Sequence, residues 1–213
     1  MSEDAAEHTN PVRLSIVIPV FNEEESLPPL CAKLDTVLTD LGLSHEVIFI
    51  DDGSTDASYE ELTKLGAQYS WLRAVQFRRN YRKAAALAAG FKQAQGEFIV
   101  TMDADLQDDP EEIRGLLQQL EEEGLDLVSG WKKKRHDPIS KTLPSKVFNL
   151  VTSIVSGIRL HDFNCGLKIY RHEVTEDALP YLYGELYRFL PAIAHWAGYR
   201  VGERAVTHHA RKY

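Results

Sequence analysis

Short apolar runs alternate with segments of helical periodicity along the first 130 residues of the chain. The runs at 14–20 (LSIVIPV) and 46–50 (EVIFI) are short, rich in β-branched residues and mostly apolar, which is typical of strands buried on both faces. Between them, apolar residues recur at helical spacing from Leu27 to Leu41, and Gly42 predicts the end of that helix. The pattern is therefore strand, polar loop, helix.

The same order repeats further along the chain. We predict strands at 72–77, 97–102 and 125–129, an alanine-rich helix over Lys83–Ala94, and a further helix opened by Pro110. This alternation predicts an α/β fold with a doubly wound, mainly parallel sheet and helices on both faces. Ligands of such sheets bind at the carboxyl ends of the strands, and acidic loops follow two of the predicted strands, at 51–56 and 103–112.

The character of the sequence changes after residue 130. Residues 132–135 (KKKR) are basic, and they precede a predicted helix at 145–158 with apolar residues on more than one face. This pairing is typical of a segment at a membrane surface, so we expect 130–160 to face the membrane and an acceptor. Later elements are a strand or hairpin at 167–170, a helix at about 185–197 and a strand near 200–207.

Composition and charge narrow the class of protein. The chain has 213 residues, 44% of them hydrophobic, and a net charge of -8, which predicts one domain over 12–213. The first ten residues (MSEDAAEHTN) are acidic and polar, so we predict a flexible acidic tail at 1–11. The negative charge argues against nucleic acid as a partner. Two cysteines exclude a disulfide scaffold, and no signal pattern or run of about 18 apolar residues is present. We expect a cytoplasmic protein peripheral to the inner face of the membrane.

Asp103 and Asp105 stand one residue apart at the end of a predicted strand. Mg²⁺ in proteins takes one or two carboxylates and completes its shell with water and phosphate oxygens, so this pair suits a nucleoside diphosphate with its cation. The alternative is an acidic loop that only favours the dipole of the next helix. A second acidic turn, at 51–56 (DDGSTD), would lie beside it and could accept hydrogen bonds from a ribose or a base, although Asp-Gly-Ser is also ordinary turn chemistry.

The motifs, in their order along the chain, resemble those of the family 2 inverting glycosyltransferases with the GT-A fold. They are VIPVFNEEESL, DDGSTD, RRNYRKAAALAAGF and DADLQDDPEE. The strings PSKVFN, HDFNCGLKIY, LYGELYRFLP and HHARKY narrow the resemblance to the polyprenyl-phosphate sugar synthases, such as dolichyl-phosphate mannose synthase and undecaprenyl-phosphate glycosyltransferases.

The resemblance implies a role for individual residues. The nucleotide sugar would be bound by Pro19, Phe21, Glu23, Asp52, Lys83, Asp103, Ala104 and Asp105. Mg²⁺ or Mn²⁺ would be held by Asp103, Asp105 and Gln107, and the acceptor phosphate by Lys132, Arg135, Ser145 and Arg211. Asp105, Arg135 and Arg211 would be the catalytic residues. This sequence departs from the family pattern at Arg82, where glycine is frequent, and at Lys132, where arginine is frequent. The family pattern also continues beyond the position that matches Tyr213. A longer chain with membrane helices therefore stays an alternative.

The expected reaction is metal-dependent, inverting transfer of a hexose, mannose or glucose, from a GDP- or UDP-sugar to a polyprenyl phosphate. A phosphomonoester is already largely ionised at neutral pH, so this acceptor needs no general base. One alternative is a glycan hydroxyl acceptor, for which Asp162 or Glu185 would have to serve as base. Another is a nucleotide-sugar-binding module without turnover.

Overall fold

Seven strands form one sheet in the computed structural model of the chain, which describes residues 11–133, 149 and 151–212. The strands are β1 (Leu14–Val20), β2 (His45–Asp51), β3 (Leu72–Gln76), β4 (Phe98–Thr101), β5 (Leu127–Lys132), β6 (Lys168–Arg171) and β7 (Val201–Val206). The helices are α1 (Leu27–Leu41), α2 (Ser58–Gln68), α3 (Lys83–Gln93), α4 (Glu112–Glu122), α5 (helical at 151–156), α6 (His172–Ala178) and α7 (Leu190–Trp196), with 3₁₀ turns at Leu179–Tyr181 and Leu186–Phe189.

The order of strands across the sheet is β3-β2-β1-β4-β6-β5-β7. All neighbouring strands run parallel except β6, which is antiparallel to both β4 and β5. The carboxyl ends of β1, β2, β4 and β5 therefore lie at one edge of the sheet, where ligands of such folds bind. The predicted mainly parallel α/β sheet is confirmed.

Helices cover both faces of the sheet. On β1, Ile16 and Ile18 pack with α1, α2 and α4, whereas Val17 between them packs with α3, α6 and α7. Both faces of β1 are therefore buried in apolar layers. This explains why its sequence is apolar at nearly every position.

Several element boundaries differ from the sequence prediction. The predicted helix at 185–197 is two elements, the 3₁₀ turn Leu186–Phe189 and α7, because Pro191 lies in the first turn of α7 and has no amide hydrogen to continue the preceding turn. Strand β5 extends to Lys132, so that residue belongs to the sheet. Helix α6 was not predicted at all.

The predicted membrane-facing segment is described only in part. Arg135 and Ser145, like most of 130–148, lie outside the described residues. Within the described part of the chain, no helix is long and apolar enough to cross a bilayer.

Candidate functional site

A cavity of about 350 Å³ opens at the carboxyl edge of the sheet. Its walls come from the ends of β1 and β4, the turn after β2 and the start of α3. All eight residues predicted to bind a nucleotide sugar line it, together with Val20, Asn80 and Arg82: Pro19, Phe21, Glu23, Asp52, Lys83, Asp103, Ala104 and Asp105. The structure thus brings together residues that are up to 86 positions apart, although their roles remain predictions.

Asp52 is held at the cavity by the turn after β2. Its amide donates to the carbonyl of Val20 at 2.8 Å, which extends the β1–β2 pairing by one residue. Gly53 follows with a φ of 71°, and a Cβ there would lie 2.5 Å from the backbone of Arg79, so only glycine fits. The amide of Tyr81 donates to Asp52 Oδ1 at 2.6 Å. Burial raises the pKa of this carboxyl above its usual value.

The loop after β4 turns sharply between Asp105 and α4. Leu106 adopts a φ of 62°, rare for a residue with a branched side chain, and the amide of Gln107 donates to Asp105 Oδ1 at 3.1 Å. Burial and the nearby charge of Asp103 raise the pKa of Asp105. Two carboxylates that repel each other in this way are stabilised by a cation.

Lys83 forms an ion pair with Asp103 across the cavity. Burial alone would lower the pKa of Lys83, but the Asp103 carboxylate raises it. Burial would likewise raise the pKa of Asp103, and the Lys83 ammonium lowers it. Both groups are therefore charged at neutral pH. The Lys83 ammonium also lies 5.5 Å from the ring centroid of Tyr187, within cation–π range.

The donor set around Asp103 and Asp105 fits a divalent cation that is shared with a ligand. No group of three or more His, Cys, Asp or Glu side chains among the described residues could hold a metal by itself. Mg²⁺ and Mn²⁺ prefer oxygen ligands and accept one or two carboxylates when substrate phosphates supply the rest. Gln107, the third predicted ligand, donates from Nε2 to the carbonyl of His209 at 3.4 Å.

Asp108 is a site residue that sequence reasoning missed. Its side chain is 1% exposed, its Oδ1 lies 2.9 Å from Lys132 Nζ, and its Oδ2 accepts from the amide of Asp103 at 3.3 Å. It therefore ties β5 to the loop that carries the predicted metal ligands. The sequence did contain a signal, the acidic doublet at 108–109, which directly follows the predicted metal ligands. Lys132, predicted to bind the acceptor phosphate, is 12% exposed and faces Asp108.

Gly166 is a second missed residue. A Cβ at this position would lie 2.6 Å from Asp103 Oδ2 and 2.9 Å from Asp108 Oδ2, so glycine lets the loop before β6 touch both carboxylates. Thr101 Oγ1 donates to the Gly166 carbonyl at 2.8 Å and fixes this approach.

The chain after β7 returns across the same edge of the sheet. In this C-terminal segment, residues 207–212, Arg211 pairs with Glu23 at 3.1 Å. The amide of His209 donates to the carbonyl of Gln107 at 2.9 Å, and its Nε2 lies 2.8 Å from Asp109 Oδ2. The predicted catalytic residue Arg211 therefore reaches a residue that lines the cavity.

The two candidate general bases differ in exposure. Asp162 is fully buried, and its Oδ1 accepts from the amide of Asn164 at 3.0 Å. Glu185 is exposed and pairs with Arg188 at 2.9 Å. The loop that carries Asp162 is clamped by Asn149, whose Nδ2 donates to the carbonyl of His161 at 2.7 Å.

Comparison with known proteins gives a match over most of the chain. The model of the family described as glycosyl transferase family 2 matches residues 15–179. Dodecaprenyl-phosphate galacturonate synthase of Rhizobium johnstonii is 41% identical over 95% of this chain and 60% of its own length. Undecaprenyl-phosphate 4-deoxy-4-formamido-L-arabinose transferase of Klebsiella pneumoniae is 38% identical over 94% of this chain and 61% of its own. The chain thus spans about 60% of the length of these curated relatives.

Solved structures share the fold at low sequence identity. Glucosyl-3-phosphoglycerate synthase of Mycobacterium tuberculosis, in complex with Mn²⁺, UDP and phosphoglyceric acid, aligns with a TM-score of 0.72 and 18% identity over 95% of this chain and 72% of that one. A mannosyltransferase of Pyrobaculum calidifontis in complex with GDP-Man and Mn²⁺ aligns with a TM-score of 0.62 and 21% identity over 92% of this chain and 56% of that one. These likenesses concern the arrangement of helices and strands alone.

Proposed function

The chain belongs to glycosyl transferase family 2, and from this premise we propose that it transfers a sugar from a nucleoside diphosphate sugar to a polyprenyl phosphate. One observation carries the proposal: a single cavity at the carboxyl edge of the sheet gathers the acidic pair Asp103 and Asp105, the cation Lys83 and the acidic turn residue Asp52. Two relatives named as polyprenyl-phosphate sugar transferases support the class of acceptor.

The donor would lie in the cavity with its nucleoside against Pro19, Phe21 and Asp52 and its diphosphate toward Lys83. Carboxylates such as Asp52 accept hydrogen bonds from ribose hydroxyls or base N–H groups. A Mg²⁺ or Mn²⁺ ion held by Asp103, Asp105 and Gln107 would supply positive charge that stabilises the leaving nucleoside diphosphate. Lys83, a fixed cation beside this set, would offset the charge of the diphosphate itself.

The acceptor phosphate would enter from the side of the C-terminal segment. Arg211 would leave Glu23 and contact the phosphate, together with the predicted residues Arg135 and Ser145. Because the phosphate is already ionised, the chain's residues need only place its oxygen in line with the anomeric carbon, opposite the leaving group, which inverts that carbon. Lys132, which faces Asp108, would act by holding the loop of the metal ligands.

A hydroxyl acceptor is less compatible with the site. It requires a general base within hydrogen-bond reach of the acceptor. Asp162 is fully buried, and Glu185 is engaged with Arg188, so neither carboxylate is free in the cavity. The remaining alternative, a binding module without turnover, is disfavoured because the two named relatives are a synthase and a transferase.

Galacturonate is the donor sugar we propose to test first. The 41% identical relative is named for galacturonate and the 38% identical relative for 4-deoxy-4-formamido-L-arabinose, whereas the sequence analysis favoured mannose or glucose. No observation on these relatives supports mannose or glucose, so we do not retain that preference.

We also propose that the protein works at a membrane surface. Large hydrophobic side chains are exposed on and around α5 and α7: Val151, Ile154, Val155, Tyr181, Tyr183 and Trp196. Apolar side chains of this kind, accompanied by aromatic ones, are typical of surfaces that enter the interface of a bilayer. A polyprenyl acceptor would be presented there.

The test is the release of nucleoside diphosphate. We would supply UDP- and GDP-linked galacturonate, 4-deoxy-4-formamido-L-arabinose, mannose and glucose, with Mg²⁺ or Mn²⁺, and with or without a short polyprenyl phosphate in detergent. We expect release that requires the polyprenyl phosphate, persists in Asp40→Ala, an exposed aspartate on α1, and disappears in Asp105→Ala. Release that requires a soluble glycan instead would contradict the acceptor, and release unaffected by Asp105→Ala would contradict the site.

A further inference from the structure

Asp103 shares one carboxylate oxygen with a cation of the protein itself. Its Oδ1 pairs with the Lys83 ammonium, and the side chain of Asp103 is 35% exposed. Its Oδ2 lies beside Gly166, at which a Cβ would be only 2.6 Å away. In Asp105, Oδ1 accepts from the amide of Gln107 at 3.1 Å. A divalent cation that arrives alone must therefore compete with the Lys83 ammonium for Asp103, which weakens the site.

Lys83 is held where it competes with a metal ion for Asp103. It is the first residue of α3, its side chain is 30% exposed, and the ring of Tyr187 lies 5.5 Å from its ammonium. The ion pair with Asp103 is therefore reinforced by a second attraction from a fixed aromatic ring. A diphosphate in the same cavity would compete with Asp103 for this ammonium.

We infer that Lys83 gates the metal site: it occupies Asp103 until the diphosphate of a nucleotide takes over its ammonium, which frees Asp103 Oδ1 for the divalent cation. This inference rests on the proposed function, because that function supplies the diphosphate and the metal. It adds that metal and nucleotide bind interdependently. Each therefore raises the affinity of the other by the same factor.

The gate makes a prediction that ordinary bridging of metal and phosphate does not. Bridging alone raises metal affinity when nucleotide is present, but it requires no change in the nucleotide-free protein when Lys83 is removed. If Lys83 occupies the site, then Lys83→Met frees Asp103 and metal binds more tightly without any nucleotide. A neighbouring cation lowers the proton affinity of a carboxylate by roughly one to three decades. We therefore expect Lys83→Met to raise the Mn²⁺ affinity by at least about tenfold.

Arg82 provides a matched control for charge. It lines the same cavity as Lys83, and its guanidinium has no hydrogen bond or ion pair within residues 11–133, 149 and 151–212. Arg82→Met removes one positive charge from the cavity without freeing a carboxylate. Because exposed charges are screened by salt, we expect metal affinity to change by no more than about threefold in this variant.

The experiment is a titration of Mn²⁺ into the purified protein, followed by the electron paramagnetic resonance signal of free Mn²⁺. Wild type, Lys83→Met, Lys83→Arg and Arg82→Met are each titrated alone and with UDP or GDP. We expect tight binding without nucleotide only in Lys83→Met. Lys83→Arg keeps the positive charge, so it should bind Mn²⁺ as weakly as wild type. This variant provides a second measurement if circular dichroism shows that Lys83→Met folds poorly.

The outcomes separate the gate from the proposed function. The gate is overturned if Lys83→Met binds Mn²⁺ alone no more tightly than wild type, if Arg82→Met matches its gain, or if Lys83→Arg binds tightly. In those cases nucleotide-dependent Mn²⁺ binding by wild type would leave the proposed function intact. Wild-type protein that binds no Mn²⁺ with either nucleotide would contradict the metal-dependent function as well.

Discussion

Arg82 stands in a backbone conformation that normally requires glycine. Its φ is 74° and its ψ is 164°, a combination that costs other residues of the order of 1–3 kcal/mol. The sequence comparison with the family already marked this position, since the family often has glycine there. Strain of this kind persists where the surrounding structure imposes it, and here the residue lines the cavity at the carboxyl edge of the sheet and precedes α3.

Replacing Arg82 tests this strain directly. Arg82→Gly and Arg82→Ala both remove the guanidinium, but only alanine keeps the Cβ that clashes at positive φ. We expect the glycine variant to be more stable than the alanine variant by about 1 kcal/mol, or roughly 2–4 °C in Tm. Thermal unfolding followed by circular dichroism measures the difference. Equal melting temperatures would show that the backbone at Arg82 is unstrained in solution.

The sequence predicted which residues line the cavity better than it predicted which partners their side chains contact. The spacing of Asp103 and Asp105, and their position after a strand, were sufficient to locate the acidic pair. Lys132 was read as part of a basic run, yet it is 12% exposed and pairs with Asp108. A charged residue can lie in a buried strand as well as on the surface. Here β5 continues beyond its apolar residues to Lys132, which the sequence pattern did not indicate.

At the scale of elements, the sequence predicted the positions of the strands more accurately than the direction in which each strand runs. Strand β1 has the predicted limits, Leu14–Val20. The antiparallel course of β6 was missed, since the apolar pattern of a buried strand is the same in both directions. Helix α6 is seven residues long and was missed for a similar reason: two turns are too short for a clear helical period.

The C-terminal segment shows how distant elements complete the site. Asp109, in the loop before α4, pairs with Lys33 of α1 at 2.8 Å and with His209 at 2.8 Å. Burial alone would raise the pKa of Asp109, but its hydrogen bonds with Lys33 and His209 lower it below the usual value. One carboxylate thus joins α1, the loop of the predicted metal ligands and the C-terminal segment.

This pairing predicts a dependence of stability on pH. A carboxyl whose folded pKa is lowered stabilises the protein above its unfolded pKa, about 3.9 for aspartate, and loses that contribution as the pH falls through the lower folded pKa. We expect Asp109→Asn to be less stable than wild type at pH 7 and the gap to narrow below about pH 4. Urea unfolding at a series of pH values measures it. A gap that stays constant down to pH 2 would contradict the lowered pKa.

At the scale of the whole molecule, exposed apolar surface is unevenly distributed. Of the large hydrophobic side chains exposed in the described part of the chain, Phe21 and Tyr81 lie near the cavity at the carboxyl edge of the sheet, and the others belong to residues 151–196. Trp196 is 61% exposed and its indole donates to the carbonyl of Ser156 at 3.0 Å, which joins α7 to α5. The two helices therefore present one continuous apolar surface.

The sequence analysis predicted a membrane-facing segment at 130–160 from the basic run and the helix that follows it, and its contact with a membrane stays a prediction. Trp196 lies outside that segment. The contribution of α7 depends on tertiary packing, since Phe189, Ala192 and Trp196 line one cavity together with Val151 and Val155 of α5. No local pattern in the sequence reveals which of two distant helices will share a surface.

If this surface enters a bilayer, an acidic side chain at its centre must weaken binding to vesicles. Ile154 is 73% exposed, and Ile154→Asp exchanges an inserted apolar side chain for a charge that anionic lipid repels. We expect the affinity for phosphatidylglycerol-containing vesicles to fall by at least about tenfold, since burial of an isoleucine side chain is worth about 1.5–3 kcal/mol. Thr63→Asp adds the same charge on the exposed side of α2, across the sheet, and should bind like wild type. Cosedimentation at several lipid concentrations measures both variants, and equal binding by the two would mean that the apolar surface of α5 and α7 serves another purpose.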